Sequence, residues 1–369
     1  MSSDVLDLFT ELAAVPSPPG DERAVADLVI GYLHDCGLRP DEDDAGPAIG
    51  SNAGNVYARL EATAPGEPLL FCAHLDTVPP TAAIEPVVED GLVRNAAGTI
   101  LGADDKSAVA AMLDAARSVL AERRPHAGIE LLFTPREEVG LEGAAAFDHE
   151  RLQARIGYVY DQAAPIGTVI LGAPFSRSIE VTFHGRASHS GMHPDEGRSA
   201  IVAAARAISE MRLGRVDEIS TANVGTISGG TATNVVPEWC TFVAEARSHD
   251  ERRLSDLVQE MQDAVTFAAG IAECEAATTV RKSYRGYRFG RTDPPVALAA
   301  AALEHCGHEV RYELSGGAAD ANVFNDRGFQ VVNLANGMID IHTPAERITV
   351  SDLEAMVDVT LALIDAAVA

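Results

Sequence analysis

Lysine is almost missing from this chain: Lys106 and Lys282 are the two that its 369 residues contain. Arginine supplies nearly all of the positive charge, and the formal net charge is −27. A surface so short of cations repels phosphate backbones and anionic headgroups, which excludes nucleic acid and membrane surfaces as partners. Cysteine is scarce as well. The five (Cys36, Cys72, Cys240, Cys274 and Cys306) are odd in number and form no Cys-x-x-Cys pair. That excludes a disulfide framework and a thiolate zinc knuckle, and it suits a reducing compartment. No apolar run reaches the roughly 18–20 residues needed to cross a bilayer. The opening Met1-Ser2-Ser3-Asp4 has neither the positive nor the apolar region of a secretory signal. A cytoplasmic setting is the expectation.

What is present is a globular composition, 47% hydrophobic with mixed charge. The length exceeds one comfortable core, so two domains are expected. Helical spacing runs over Val5–Val15, and again from Asp21 with Val25, Leu28, Val29 and Leu33 on one face. Residues 40–54, acidic and rich in Gly, read as loop. Short apolar runs end at His74, before Glu137-Glu138, and at Asp161, as buried strands do. Between them Lys106–Glu122 reads as a helix with Val109, Leu113, Ala116 and Leu120 inward. Strands alternating with helices predict a mainly parallel sheet flanked by helices, an α/β fold.

The texture changes after about Ala173. Ser178–Phe183 alternates polar and apolar residues, and two helices and three further strands follow, to Arg281. This βαββαβ order predicts a ferredoxin-like α+β module. The α/β texture then returns, with a helix near Val296–Cys306, a strand Gln330–Ala335 and a closing helix from Val350. The expected division is a discontinuous domain of residues 1–175 and 287–369 around an inserted module of residues 176–286.

Five residues of metal-ligand type fall mostly at the ends of the strand-like runs: His74, Asp104, Glu138, Asp161 and His342. Imidazole and carboxylate suit zinc and its divalent neighbours cobalt and manganese. In open α/β sheets, ligands bind beyond the carboxyl ends of the strands, where these residues are placed. Two ions about 3.5–4 Å apart polarise a carbonyl and supply hydroxide at neutral pH, the chemistry of amide hydrolysis. Glu137, beside one ligand, is free to move protons.

The segments His74-x-Asp76, Gly102-Ala103-Asp104-Asp105-Lys106, Arg136-Glu137-Glu138 and Tyr160-Asp161 are followed by His184-Gly185-x-x-x-His189 and His342-Thr343-Pro344. In that order they resemble the M20 family of dinuclear zinc peptidases and amidohydrolases, closest to its peptidase T-like branch. The resemblance spans about residues 8–365. It implies that Asp104 bridges the ions, that His74 and Asp161 complete one site, and that Glu138 and His342 complete the other. By the same resemblance Asp76 accepts the second ring N–H of His74, and the peptide after the bridging Asp is cis. Glu137 is then the general base. His189 stabilises the oxyanion of the partner's site across a dimer interface, and the inserted module acts as dimerisation lid. Asn234, Arg247, Gly316 and Gly317 match substrate-contacting positions, although one extra Ala disturbs the pattern after Gly317.

The expected protein is a homodimeric two-zinc peptidase of small peptides, of the tripeptide aminopeptidase type. The sister activities, carboxypeptidase and N-acyl amino acid deacylase, share these motifs and stay open. A non-catalytic scaffold of the same fold predicts erosion at Glu137 or at a ligand, and none is seen.

Overall fold

The computed structural model describes residues 4–369. The chain forms two compact units, one from residues up to Ala173 together with Arg288–Ala369, the other from Pro174–Tyr287.

In the first unit four parallel strands lie side by side, in the order Ile129–Thr134, Leu69–His74, Ile156–Val159 and Gln330–Leu334. Every residue of the first two is buried. Such strands are covered on both faces, which is why they read as unbroken apolar runs. Antiparallel strands flank them, Val56–Leu60 beside Ile129–Thr134 and Thr168–Ala173 beside Gln330–Leu334. Register sets His74 opposite Thr134 and Cys72 opposite Val159. Asp161, two residues beyond Val159, therefore reaches the sheet edge where His74 ends.

The helix Ala103–Glu122 packs on the Leu69–His74 strand and against the helices Asp4–Ala13 and Val350–Ala366. Ala108 to Leu113 are completely buried, the mark of a core helix rather than a surface one. Leu120, expected to face inward, is 36% exposed, because burial along this helix ends at Val119. At its other end Asp104 and Asp105 depart from helical geometry, and the peptide between them is cis. A small sheet, Arg347–Thr349, Leu92–Asn95 and Pro86–Glu89 in that order, has no counterpart in the sequence reading.

The second unit is one antiparallel sheet. Its strands run in the order Gly214–Asp217, Ser220–Gly229, Trp239–Ser248, Phe175–His184 and Glu275–Tyr284. The helices Ala200–Glu210 and Glu251–Ala272 pack against it around Phe183, Phe242, Leu257 and Met261. Ser199 and Asp250 cap these helices by accepting the backbone N–H of Val202 and Arg253. The βαββαβ order is present, with Gly214–Asp217 added as an edge hairpin strand. No described helix is long and apolar enough to cross a membrane.

Candidate metal centre

One carboxylate stands between two imidazoles. Oδ1 of Asp104 lies 3.3 Å from Nε2 of His74, and Oδ2 lies 3.1 Å from Nε2 of His342. Oε1 of Glu138 is 3.0 Å from the same His342 nitrogen. Candidate ligand atoms of His74, Asp104 and Glu138 fall within 4.8 Å of one another, and so do those of His74, Glu137 and Asp161. The five candidate ligands and Glu137 are thus gathered at one edge of one sheet. Glu137, expected as a base, sits close enough to be counted among ligand groups.

The charge balance points to cations. Asp76, Asp104, Asp105 and Glu137 are buried, with Asp161 and Glu138 beside them. The positive groups among them are two imidazoles and Lys106. Two carboxylates 4 Å apart repel by about 4 kcal/mol at an effective dielectric near 20, so such a cluster cannot stay ionised without counter-charge. Accordingly, burial pushes Glu137 well above the usual carboxylate range, with the charge of Asp161 adding to it. Burial and then Asp104 do the same to Asp161. Against its burial, Asp104 is held well below that range by its contacts with the imidazoles of His342 and His74. Its contacts with Asp104 and Glu138 raise His342 to about 10. Protonated imidazoles here fill the place of missing positive charge, and a metal ion would displace those protons. Oδ1 of Asp104 is buried without a hydrogen bond. An acceptor with a free lone pair beside two histidines and further carboxylates fits a divalent ion of the zinc type.

Asp76 and several polar groups that the sequence did not single out hold the ligand loops. Nδ1 of His74 contacts the backbone carbonyl of Asp76 at 2.8 Å, while the Asp76 carboxylate, expected as its acceptor, is 3.6 Å away. That carboxylate instead accepts the backbone N–H of Glu137 at 2.9 Å and of Glu138 at 3.1 Å. His-x-Asp spacing cannot tell which oxygen of the Asp meets the ring. Burial raises Asp76 to about 6, and its two amide contacts act in the opposite sense. Asn333 brackets Asp161, accepting its N–H at 3.0 Å and donating to its carbonyl at 2.6 Å. Asn336 donates to the Tyr160 carbonyl and to Ser107. Asp320 accepts from the Thr134 hydroxyl, and Glu346 accepts three backbone amides around Asp104. Arg136 and His342 hold left-handed φ of 59° and 62°, uncommon for side-chain-bearing residues and frequent at functional turns.

The remaining candidates divide. Gly316 and Gly317 have no left-handed φ, and a Cβ would meet nothing at Gly316 and only Ser315 Oγ, at 3.8 Å, at Gly317. Nothing within the chain requires glycine there. In the second unit, Nδ1 of His189 accepts the backbone N–H of Gly191 and Met192, each at 3.2 Å. The ring proton is therefore on Nε2, which is left as a donor. His189 also bridges to Val235, next to the exposed Asn234. Arg247 contacts Glu245 at 3.1 Å and lies over the Tyr284 ring.

Comparison with known proteins finds relatives that match nearly the whole chain. The model of the M20 peptidase dimerisation domain matches residues 175–272, and that of peptidase family M28 matches residues 55–171. The uncharacterized protein YqjE of Bacillus subtilis (strain 168) is 36% identical over 98% of this chain and 98% of its own length. The aminopeptidase PepT from Bacillus cereus ATCC 10987 superposes with a TM-score of 0.89 at 36% identity, covering 99% of this chain and 98% of its own. A tripeptidase from Staphylococcus aureus subsp. aureus Mu50 gives 0.93 at 35% identity, covering 98% and 97%.

Proposed function

This chain belongs to the M20 family of metallopeptidases, and from that premise we propose that it is a tripeptide aminopeptidase working with two divalent ions, zinc foremost. The observation that carries the proposal is the Asp104 carboxylate, set between His74 and His342 with one oxygen toward each. The likeness to an aminopeptidase PepT and a tripeptidase at 36% and 35% identity favours free short peptides over acylated amino acids as substrates.

In the proposed site His74 and Asp161 would hold one ion, Glu138 and His342 the other, and Asp104 would serve both. When bound, the ions would polarise the scissile carbonyl and acidify water. Glu137 takes the proton of the attacking water and returns it to the leaving amine. Asp76 positions that base by fixing the backbone of Glu137 and Glu138. His189 donates a hydrogen bond from Nε2 to the oxyanion developing in the site of the second copy, and Asn234 and Arg247 anchor the peptide, the guanidinium on a carboxylate. The setting proposed is the cytoplasm.

Hydrolysis of Ala-Ala-Ala, of its N-blocked form and of an N-acetyl amino acid tests the reading. The free tripeptide is expected to be cut at least about a hundredfold faster, because a site built for an ammonium leaves its polar groups unpaired when the amine is capped. Equal rates on the blocked tripeptide reject the aminopeptidase assignment in favour of the carboxypeptidase or deacylase.

The partner proposed is a second copy of this chain, docked through the second unit. Val202, Phe267 and Ile271 are all more than half exposed. With Ile201 they line a groove of about 570 Å³ between the helices Ala200–Glu210 and Glu251–Ala272. An apolar patch of this kind marks an interface, and the family model that matches here describes a dimerisation domain. Sedimentation is expected to give twice the chain mass of 38.8 kDa, and Phe267→Glu to give monomer. A dimer that survives this change places the interface elsewhere.

A further inference from the structure

We propose that Glu346 is a positioning residue of the metal centre, joining the loop that carries Asp104 to the loop that carries His342. The inference rests on the two-ion reading above and adds a residue to it.

Glu346 lies four residues after His342 and is 2% exposed. Its Oε2 accepts the backbone N–H of Leu101 at 2.7 Å and of Gly102 at 2.8 Å. Its Oε1 accepts the N–H of Asp104 at 3.0 Å. These amides converge because Gly102 takes a left-handed φ of 77°, a turn that glycine makes without penalty. Successive N–H groups around such a turn form a concave anion site, and here the chain supplies the anion itself.

The consequence is geometric. The backbone of Asp104 is held by the Glu346 carboxylate while the Asp104 side chain spans the two imidazoles. Thr343 turns the intervening segment, its carbonyl accepting the N–H of Glu346 at 3.1 Å. Arg347, next in sequence, pairs with Arg94 in the small three-stranded sheet, which fixes the far side of the same segment. Glu346 therefore sets the distance between the shared carboxylate and the His342 ring without touching either metal position. Lys106, completely buried, donates from Nζ to the Val15 carbonyl at 2.5 Å. It also interacts with the charges of Glu346 and Asp76.

A control residue of the same kind exists. Glu130 is 1% exposed and accepts the backbone N–H of Gln153 and Ala154 and the hydroxyl of Tyr57. It sits near the start of its strand, opposite Leu70, whereas Thr134 at the other end faces His74. Glu130→Gln breaks a comparable buried network away from the ligands.

The test is competition for zinc against a chromophoric chelator, on the full chain. Glu346→Gln is expected to need about 10–100-fold more free zinc for half-saturation, the usual consequence of losing a group that orients a ligand. Glu130→Gln should stay within about threefold of wild type while its thermal midpoint falls. At saturating zinc the kcat of Glu346→Gln should return to within about tenfold of wild type, a recovery that general destabilisation does not give. If Glu346→Gln does not fold, Glu346→Asp, which keeps the charge and loses the reach, should show the same shift. A folded Glu346 variant with wild-type zinc affinity overturns the inference and leaves the metal reading intact. So does a deficit that saturating zinc does not repair. A wild-type chain that binds no zinc overturns both.

Discussion

Glu137→Gln is expected to lower kcat by about 10²–10⁴-fold, the usual worth of a positioned general base, while zinc content stays at the wild-type level. The substitution is isosteric and removes the carboxylate that takes the proton from water. The upper end corresponds to roughly 5.5 kcal/mol of transition-state stabilisation. Glu137 is 9% exposed, and burial followed by the charge of Asp161 pushes its carboxyl well above the ordinary range. Replacing it removes one member of a repelling cluster, so the metal-free variant should be no less stable than the metal-free wild type. Activity within tenfold of wild type would show that another group carries the proton.

Asp104→Asn is the second large effect. It keeps the shape of the side chain and deletes the charge that both imidazoles face at 3.3 and 3.1 Å. Both ions should be lost together, and with them several kcal/mol of charge stabilisation, a loss on the order of 10⁴-fold in kcat/KM. Loss of one ion with the other retained would contradict a shared ligand.

The metal-free chain carries a pH signature of the same contact. His342 is raised to about 10 in the folded state, above its ordinary value of about 6.5. The stability from this pairing is therefore complete below about pH 6.5 and is lost as pH rises through about 10. The Asp104 partner, held well below the carboxylate range, stays ionised across that window. With a chelator present, the gap in thermal midpoint between wild type and Asp104→Asn should be wider at pH 6 than at pH 10. His342 is 44% exposed in its side chain, so solvent screening keeps the gap modest.

Much of this centre was readable before any coordinates. Leu69–His74 and Ile129–Thr134 are buried throughout, so their apolar runs stand out, and parallel strands deliver their C-terminal residues to one edge. His74, Asp161 and Glu137-Glu138 follow from that rule alone. Glu346, Asn333, Asn336 and Asp320 do not, because they act on backbone and side-chain groups distant in sequence, and no periodicity records such a partnership. Asp76 shows the limit more finely. Its place beside the site was legible, but its carboxylate turned to the amides of Glu137 and Glu138 rather than to the His74 ring. The strands Pro86–Glu89 and Arg347–Thr349 were missed for another reason: they are short and half-exposed, so neither alternation nor an apolar run marks them.

Anomalous diffraction at the zinc edge, from crystals grown with zinc, bears most directly on the shared carboxylate. Two peaks about 3.5–4 Å apart should flank Asp104, one bound by His74 and Asp161, the other by Glu138 and His342. A single peak, or peaks that leave Asp104 uncoordinated, would contradict the two-ion centre and the hydrolytic mechanism built on it.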